Sequence, residues 1–352
     1  MEIKKFGVYK TGEETHLITL TNKNGMKAVL TDVGGSLVDL IVPDKNGNPV
    51  DVVLGYDTSE EYEHNRNFFG AVIGRNGNRI GNATFTLNGE TYKLWHPAVN
   101  AHNLHSGPDF FCTRLWNYET EKTEDSESVV FFINSPEGDQ GFPGAMDIEV
   151  TYTLTEDNEL MCDYYGLSDK DTVMNMTNHS FFNLNGHDSG DIRTHIMKLY
   201  AEQYTATDAD LIPTGELPSV EGTPMDFREG KTIGQDIDSD FEAIRFGGGY
   251  DHNFVVNNNE VQENAELIAE CIGDKTGIKM EVYSDLPGVQ IYTSNGMNQP
   301  KGKKGASYGS NAAVCFETQY MPDAVNHPEF PQPFIKAGRE SVSLTVFRFT
   351  TV

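Results

Sequence analysis

The dominant period along this chain is two. In 147–154, Ile148, Val150, Tyr152 and Leu154 share one face, and Asp147, Glu149, Thr151 and Thr153 share the other. Residues 278–283 repeat the pattern, with Ile278, Met280 and Val282 set between Lys279, Glu281 and Tyr283. So do residues 341–347, where Val342, Leu344 and Val346 alternate with serine and threonine. Side chains of a strand point to opposite faces in turn, so these runs predict half-buried strands. The denser run VVFFI at 129–133 predicts a strand buried on both sides.

Turn residues separate the runs. Asn46-Gly47 divides LVDLIVPD from PVDVVLGY, and Asn88-Gly89 divides ATFTL from ETYKL. Asn-Gly tolerates positive φ at both central positions of a tight turn, so each pair predicts a hairpin. Helix signals are scarce. The best is Asp57-Thr58-Ser59-Glu60-Glu61, an acidic first turn with capping residues. The stretch 205–250, rich in Pro, Gly and Thr, breaks the rhythm. Alternation resumes at 253–256 without a change of composition, so it reads as a long loop across a sheet face rather than a linker between domains. The pattern predicts an all-β protein, a large antiparallel β-sandwich with few short helices.

Composition narrows the function. Hydrophobic residues make up 38% of the 352, enough for a sizeable core. With 26 basic and 53 acidic residues the formal charge is −27. Such a field repels phosphate backbones and anionic headgroups, so nucleic acid and acidic membranes are poor partners. No run approaches the roughly 20 apolar residues of a spanning helix, and the start lacks a signal-peptide pattern. A soluble, cytoplasmic protein is expected. Cys112, Cys162, Cys271 and Cys315 are far apart with no C-x-x-C pair, which suits reduced thiols. Cys162 and Cys315 lie in apolar alternations and read as small core residues.

No dinucleotide fingerprint, phosphate loop, H-E-x-x-H or nucleophile elbow is present. What remains is polar residues at turns and strand ends. GRNGNRIGNATF at 74–85 carries Arg75 and Arg79 in a Gly- and Asn-rich loop, where Asn78 and Arg79 either present donors to a polyhydroxylated ligand or form a loop whose arginine pairs with a surface acid. His96, His102 and His105 fall within ten residues, yet no nearby carboxylate or cysteine completes a metal set. His179, between Asn178 and Ser180 and followed by Phe181 and Phe182, is either a satisfied core residue or a proton carrier. Asp251 follows three glycines and is either a turn residue or a ligand contact. In AAVCFETQ, alternation puts Glu317 on one face with Ala313, Cys315 and Gln319. A carboxylate among such neighbours is either paired structurally or kept as a base.

Taken in order, GRNGNRI, NLHSG, TNHSFFNL, LIPTGEL, GYDHN, VQIYTSN, CFETQ and PDAVNHPEFP span residues 74 to 331. They resemble the successive signatures of aldose 1-epimerases, the galactose mutarotases. KAVLTDVGGSLVDLIVPD near the N-terminus also fits, so the resemblance covers nearly the whole chain. It implies a large sandwich with its site on one face, residues 1–352 forming a single domain. It implies Glu317 as general base and His179 as general acid. Arg79, His105 and Asp251, with Asn78 and Gln290, match sugar-contact positions. The substrate implied is an aldohexose such as D-galactose or D-glucose, turned over without cofactor or metal by a monomer or homodimer. Two residues depart from the family pattern: Ser106, where glycine is usual, and Phe181, where tyrosine is frequent. They bear on sugar preference rather than reaction type.

The implied reaction opens the pyranose. A base takes the C1 hydroxyl proton, an acid protonates the ring oxygen, and rotation about C1–C2 precedes reclosure. Reference pKa values of about 4.3 and 6.5 lead one to expect ionised Glu317 and protonated His179 near pH 6 to 7. An aromatic from Phe181, Phe182 or Tyr292 is expected over the sugar's apolar face. The alternatives are a hexose-phosphate epimerase, which needs a basic cluster for the phosphate, and a non-catalytic sugar-binding module.

Overall fold

The computed structural model describes residues 1–352. Its largest sheet has nine antiparallel strands. At its centre Met146–Thr155 pairs with Glu159–Ser168, then Glu340–Thr351, Ile278–Ser284 and Glu266–Ile272 follow. All three strands predicted from alternation therefore belong to one sheet. A second sheet of five strands runs from Glu2–Val8 to Pro49–Asp51 as a meander. The two share one core of 55 buried residues, in which Ile18 and Leu20 join Ile148, Val150 and Val282. Burying such side chains contributes about 1.5–3 kcal/mol each, which is why two one-sided sheets close on each other.

Both Asn-Gly hairpins are present, joining Ser36–Pro43 to Pro49–Asp51 and Thr84–Leu87 to Glu90–Lys93. The acidic turn forms the helix Ser59–Glu63. Thr58 caps it, accepting from the Glu61 N–H while the Glu61 side chain reaches back. No helix is long and apolar enough to cross a membrane.

Three local readings need correction. VVFFI is not buried on both sides: Val129 and Phe131 are fully buried, while Val130 and Phe132 are only partly so. In 341–347 the phase is reversed. Val342 is 70% exposed, and Thr345, Phe347 and Phe349 face the core. The two phenylalanines have more apolar area to bury than one valine, so they set which face turns inward. The stretch 205–250 is more than a surface loop, since it holds the short helix Glu242–Gly247. Its Val220, Met225, Phe227, Ile237 and Tyr250 enter the main core.

A third sheet carries the site. Its strands are Gln203–Tyr204, Asp251–Val255, Gly288–Tyr292 and Cys315–Gln319, all antiparallel. A short pair, Ala71–Ile73 with Thr177–His179, abuts it.

Candidate active site

Register assembles the site. On the strand Cys315–Gln319, Glu317 lies directly opposite Gln290, and Gln290 lies opposite Asn253 on the next strand. Asp251 begins that strand opposite Tyr292. Alternation thus turns Glu317 and Gln290 to one face. Gln290 Nε2 donates to Asp251 Oδ1 at 2.7 Å, and Arg79 Nη2 donates to Asp251 Oδ2 at 3.3 Å. The loop side is closed by a two-residue pairing that sets Arg79 opposite Leu104. It brings His105 beside Asn78. The Asn78 N–H donates to His105 Nδ1 at 3.1 Å, and the His105 N–H donates to the Asn78 carbonyl at 3.0 Å.

His179 arrives from a different segment. Just after it, Phe182 and Val314 exchange two backbone hydrogen bonds of 2.9 Å. These tie the histidine's segment to the strand that carries Cys315 and Glu317. His179 Nε2 then stands 3.6 Å from Glu317 Oε1, and Nδ1 stands 3.6 Å from Cys315 Sγ.

Asn78, Arg79, His105, His179, Asp251, Gln290 and Glu317 all line one cavity of about 280 Å³. That is near the lower end of small-molecule pockets, roughly 300 Å³. Phe181 and Tyr292 line it too, whereas Phe182 packs in the core against Phe316 and Phe347. Arg66, Asn67, Phe68 and Met297 also line it and carried no legible signal, beyond an aromatic pair next to Gly70. The Phe68 ring lies 4.9 Å from His105 and 5.7 Å from His179. Phe68, Asn78 and His105 have φ of 59°, 60° and 54°. Asn and His are enriched in this left-handed region but phenylalanine is not. Such residues cost of order 1–3 kcal/mol each and cluster at functional sites.

Other candidates fall elsewhere. Arg75 is fully buried and spends its guanidinium on the Ser135, Pro136, Pro143 and Gly144 carbonyls and the Ser135 hydroxyl. Burial pulls its pKa down to about 10. The Ser106 hydroxyl bonds the Asn76 N–H and carbonyl and points to no ligand. His96 is exposed, and His102 lies 3.8 Å from Asp210, outside the cavity.

The electrostatics reverse an expectation. Burial first, then Asp251, raises the Glu317 carboxyl well above its ordinary value, with Arg79 opposing. Burial pushes His179 down to about 4. Neither group meets enough polar partners to hold a charge, and Glu317 Oε2 and Gln290 Oε1 have no hydrogen-bond partner at all. Burial thus favours the uncharged form of each group, the carboxylic acid at Glu317 and the neutral imidazole at His179.

Donor atoms of His105, His179 and Glu317 lie within 4.8 Å of one another, close enough to suggest a metal. The donor set does not fit one. His105 Nδ1 accepts the Asn78 N–H, so its ring proton is on Nε2. A metal-bound imidazole instead donates through its second nitrogen. Burial also pushes His105 well below its ordinary pKa, so it stays neutral and offers Nε2–H to an oxygen.

Comparison with known proteins identifies the family. Residues 16–348 match the family model described as aldose 1-epimerase. The chain is 35% identical to the aldose 1-epimerase of Escherichia coli (strain K12) over 342 residues, 96% of each chain. It is 38% identical to the galactose mutarotase of Bos taurus over 320 residues, covering 90% of this chain and 89% of that one. An aldose epimerase homologue from C. elegans superposes with a TM-score of 0.86 at 30% identity, over 96% and 99% of the two chains. A mostly-strand sandwich, a buried carboxyl and imidazole in one polar cavity and these relatives converge: the chain belongs to the aldose 1-epimerase family.

Proposed function

We propose that this chain interconverts the α and β anomers of D-galactose and D-glucose by opening and reclosing the ring. Glu317 exchanges a proton with the C1 hydroxyl, and His179 exchanges one with the ring oxygen. Arg79, Asp251, Gln290, Asn78 and His105 orient the hydroxyls, so that the reacting oxygens meet the pair. The single observation that carries this reading is the buried carboxyl and imidazole 3.6 Å apart in one polar cavity.

The proton count closes. Ring opening starts from carboxylate and imidazolium. It moves the O1 proton to Glu317 and the His179 proton to O5, and leaves carboxylic acid and neutral imidazole. Burial favours that uncharged pair. Both states hold one proton between the two groups, so the same inventory serves opening and closing. A bound sugar's hydroxyls supply dipoles that bring the charged form within reach.

The rival phosphate-ester substrate lacks support. Arg79 is engaged by Asp251, and Arg66 is the one other cationic side chain lining the cavity, so no basic cluster waits for a phosphate. We read residues 1–352 as one working unit, supported by a core that draws on residues from Ile18 to Phe349. Polarimetry on freshly dissolved α-D-galactose and α-D-glucose tests the activity. The protein is expected to hasten the approach to equilibrium for both. An unchanged decay with either free sugar, but acceleration with its 6-phosphate, would overturn the reading.

A further inference from the structure

Both ring nitrogens of His179 face side chains from one strand. Cys315 and Glu317 are two residues apart on Cys315–Gln319 and so share a face, about 6.6 Å apart along the strand. The imidazole lies across them, with Nδ1 3.6 Å from the thiol and Nε2 3.6 Å from the carboxyl. No other polar side chain contacts Nδ1. The remaining titratable or charged groups around the ring are His105, at 5.2 Å between rings, Tyr292, at 6.3 Å, and the more distant Asp251. Phe68 and Phe181 fill the other sides.

We infer that Cys315 is a positioning residue for the acid–base step: its sulfur accepts the Nδ1–H of His179, so that Nε2 is the nitrogen that gives up and retrieves the proton. This rests on the role proposed for His179 above. The proton transfers demand this tautomer. After imidazolium releases its Nε2 proton to O5, the remaining proton must be on Nδ1, and reclosure returns a proton to the bare Nε2. The same tautomer leaves Nε2 bare on the side that faces Glu317. Cys315 is fully buried, and burial raises its thiol well above the ordinary range, so it adds no negative charge beside the ring. Sulfur is a weak acceptor. It orients the ring without gripping the imidazolium as a carboxylate would, and so leaves His179 willing to release its proton.

The test uses the whole protein. Nitrogen-15 NMR of labelled wild type should show neutral His179 chiefly as the Nδ1–H tautomer, and Cys315→Ala should lose that preference. In Cys315→Ala, kcat should fall about tenfold or more with KM changed less than about twofold. Cys315→Ser keeps an acceptor and should recover most of the loss. Cys315→Asp should move the acid limb of the rate profile upward by a pH unit or more. Thermal melts separate these effects from loss of fold. An Nε2–H tautomer in wild type would overturn the inference, as would a folded Cys315→Ala with unaltered tautomer, pH profile and kcat. Failure of the underlying role reads out separately: His179→Asn would then turn over sugar normally.

Discussion

Two buried clusters of charge in this molecule are treated in opposite ways. Lys303, whose side chain is 2% exposed, donates to the Val38 and Val53 carbonyls at 2.7 and 2.8 Å. It also meets Asp39 at 2.9 Å and Asp51 at 2.8 Å. Burial raises both carboxyls, but at Asp39 Lys303 prevails and brings the pKa down to about 2. Glu317, equally buried, has one imidazole at 3.6 Å and an oxygen with no partner. The first cluster pins the 302–306 turn to the five-stranded sheet. The second keeps its groups short of partners, which moves their pKa values toward and past each other. A charge paired with opposite charge is a fastener, while an under-paired one is held at a cost in stability and suits the proton exchange proposed for Glu317.

The sharpest way to break this comparison is to neutralise the under-paired group. Glu317→Gln should lower turnover about 10³-fold or more while sugar binding, read by calorimetry, persists. It should also raise stability by about 1–2 kcal/mol, because a buried under-paired carboxyl is removed. His179→Asn should lose turnover similarly. Polarimetry with near-normal rates in either variant removes that residue from the mechanism.

Next in size is removal of the fastener. Lys303→Met removes the buried cation, leaves only Lys304 at 3.0 Å from Asp51 and 3.5 Å from Asp39, and should cost about 3 kcal/mol in chemical denaturation. A cost below 1 kcal/mol would mean that the cluster fastens nothing.

Acid sharpens the contrast further. His179, His195 and His252 are each held down near pKa 4, chiefly by burial. Between about pH 6.5 and 4 the unfolded chain binds protons that the native one refuses, so stability falls as pH falls through that window. The loss is up to about 3 kcal/mol per histidine. Turnover should survive further into acid than an ordinary histidine allows, because the pair takes its second proton only well below pH 6.5. Constant stability from pH 7 to 4.5, or an acid limb at pH 6.5, would contradict this.

The smallest effect is expected at Ser106, with φ 68°. Ser106→Gly relieves the backbone but gives up the hydroxyl's bonds to Asn76, so stability should change by less than about 1 kcal/mol. The ratio of galactose to glucose turnover should stay within twofold. A larger change would mean that this hydroxyl reaches the sugar.

Much of the fold was legible because its signals are local. Alternation in 147–154 and 278–283, the two Asn-Gly turns and the Thr58 cap act within a few residues. The phase of 341–347 was not, since it depends on Phe347 at the window's end, on Phe349 beyond it and on the neighbours they meet. The seven proposed site residues, which line one cavity, were legible through resemblance. From spacing alone each kept an ordinary structural alternative. Arg75 and Arg79, four positions apart in one loop, show why: the same side chain is a core strut at one and a cavity wall at the other.

By itself, then, the sequence determined the strands, the tight turns, the acidity and the supply of one carboxylate and one imidazole, because periodicity and side-chain chemistry belong to short stretches. Tertiary structure alone decided that Cys315, a small core residue by pattern, touches His179, and that Phe68 walls the cavity. It also decided which charged forms burial disfavours, because desolvation depends on what surrounds a group from every side, and only the folded chain supplies that.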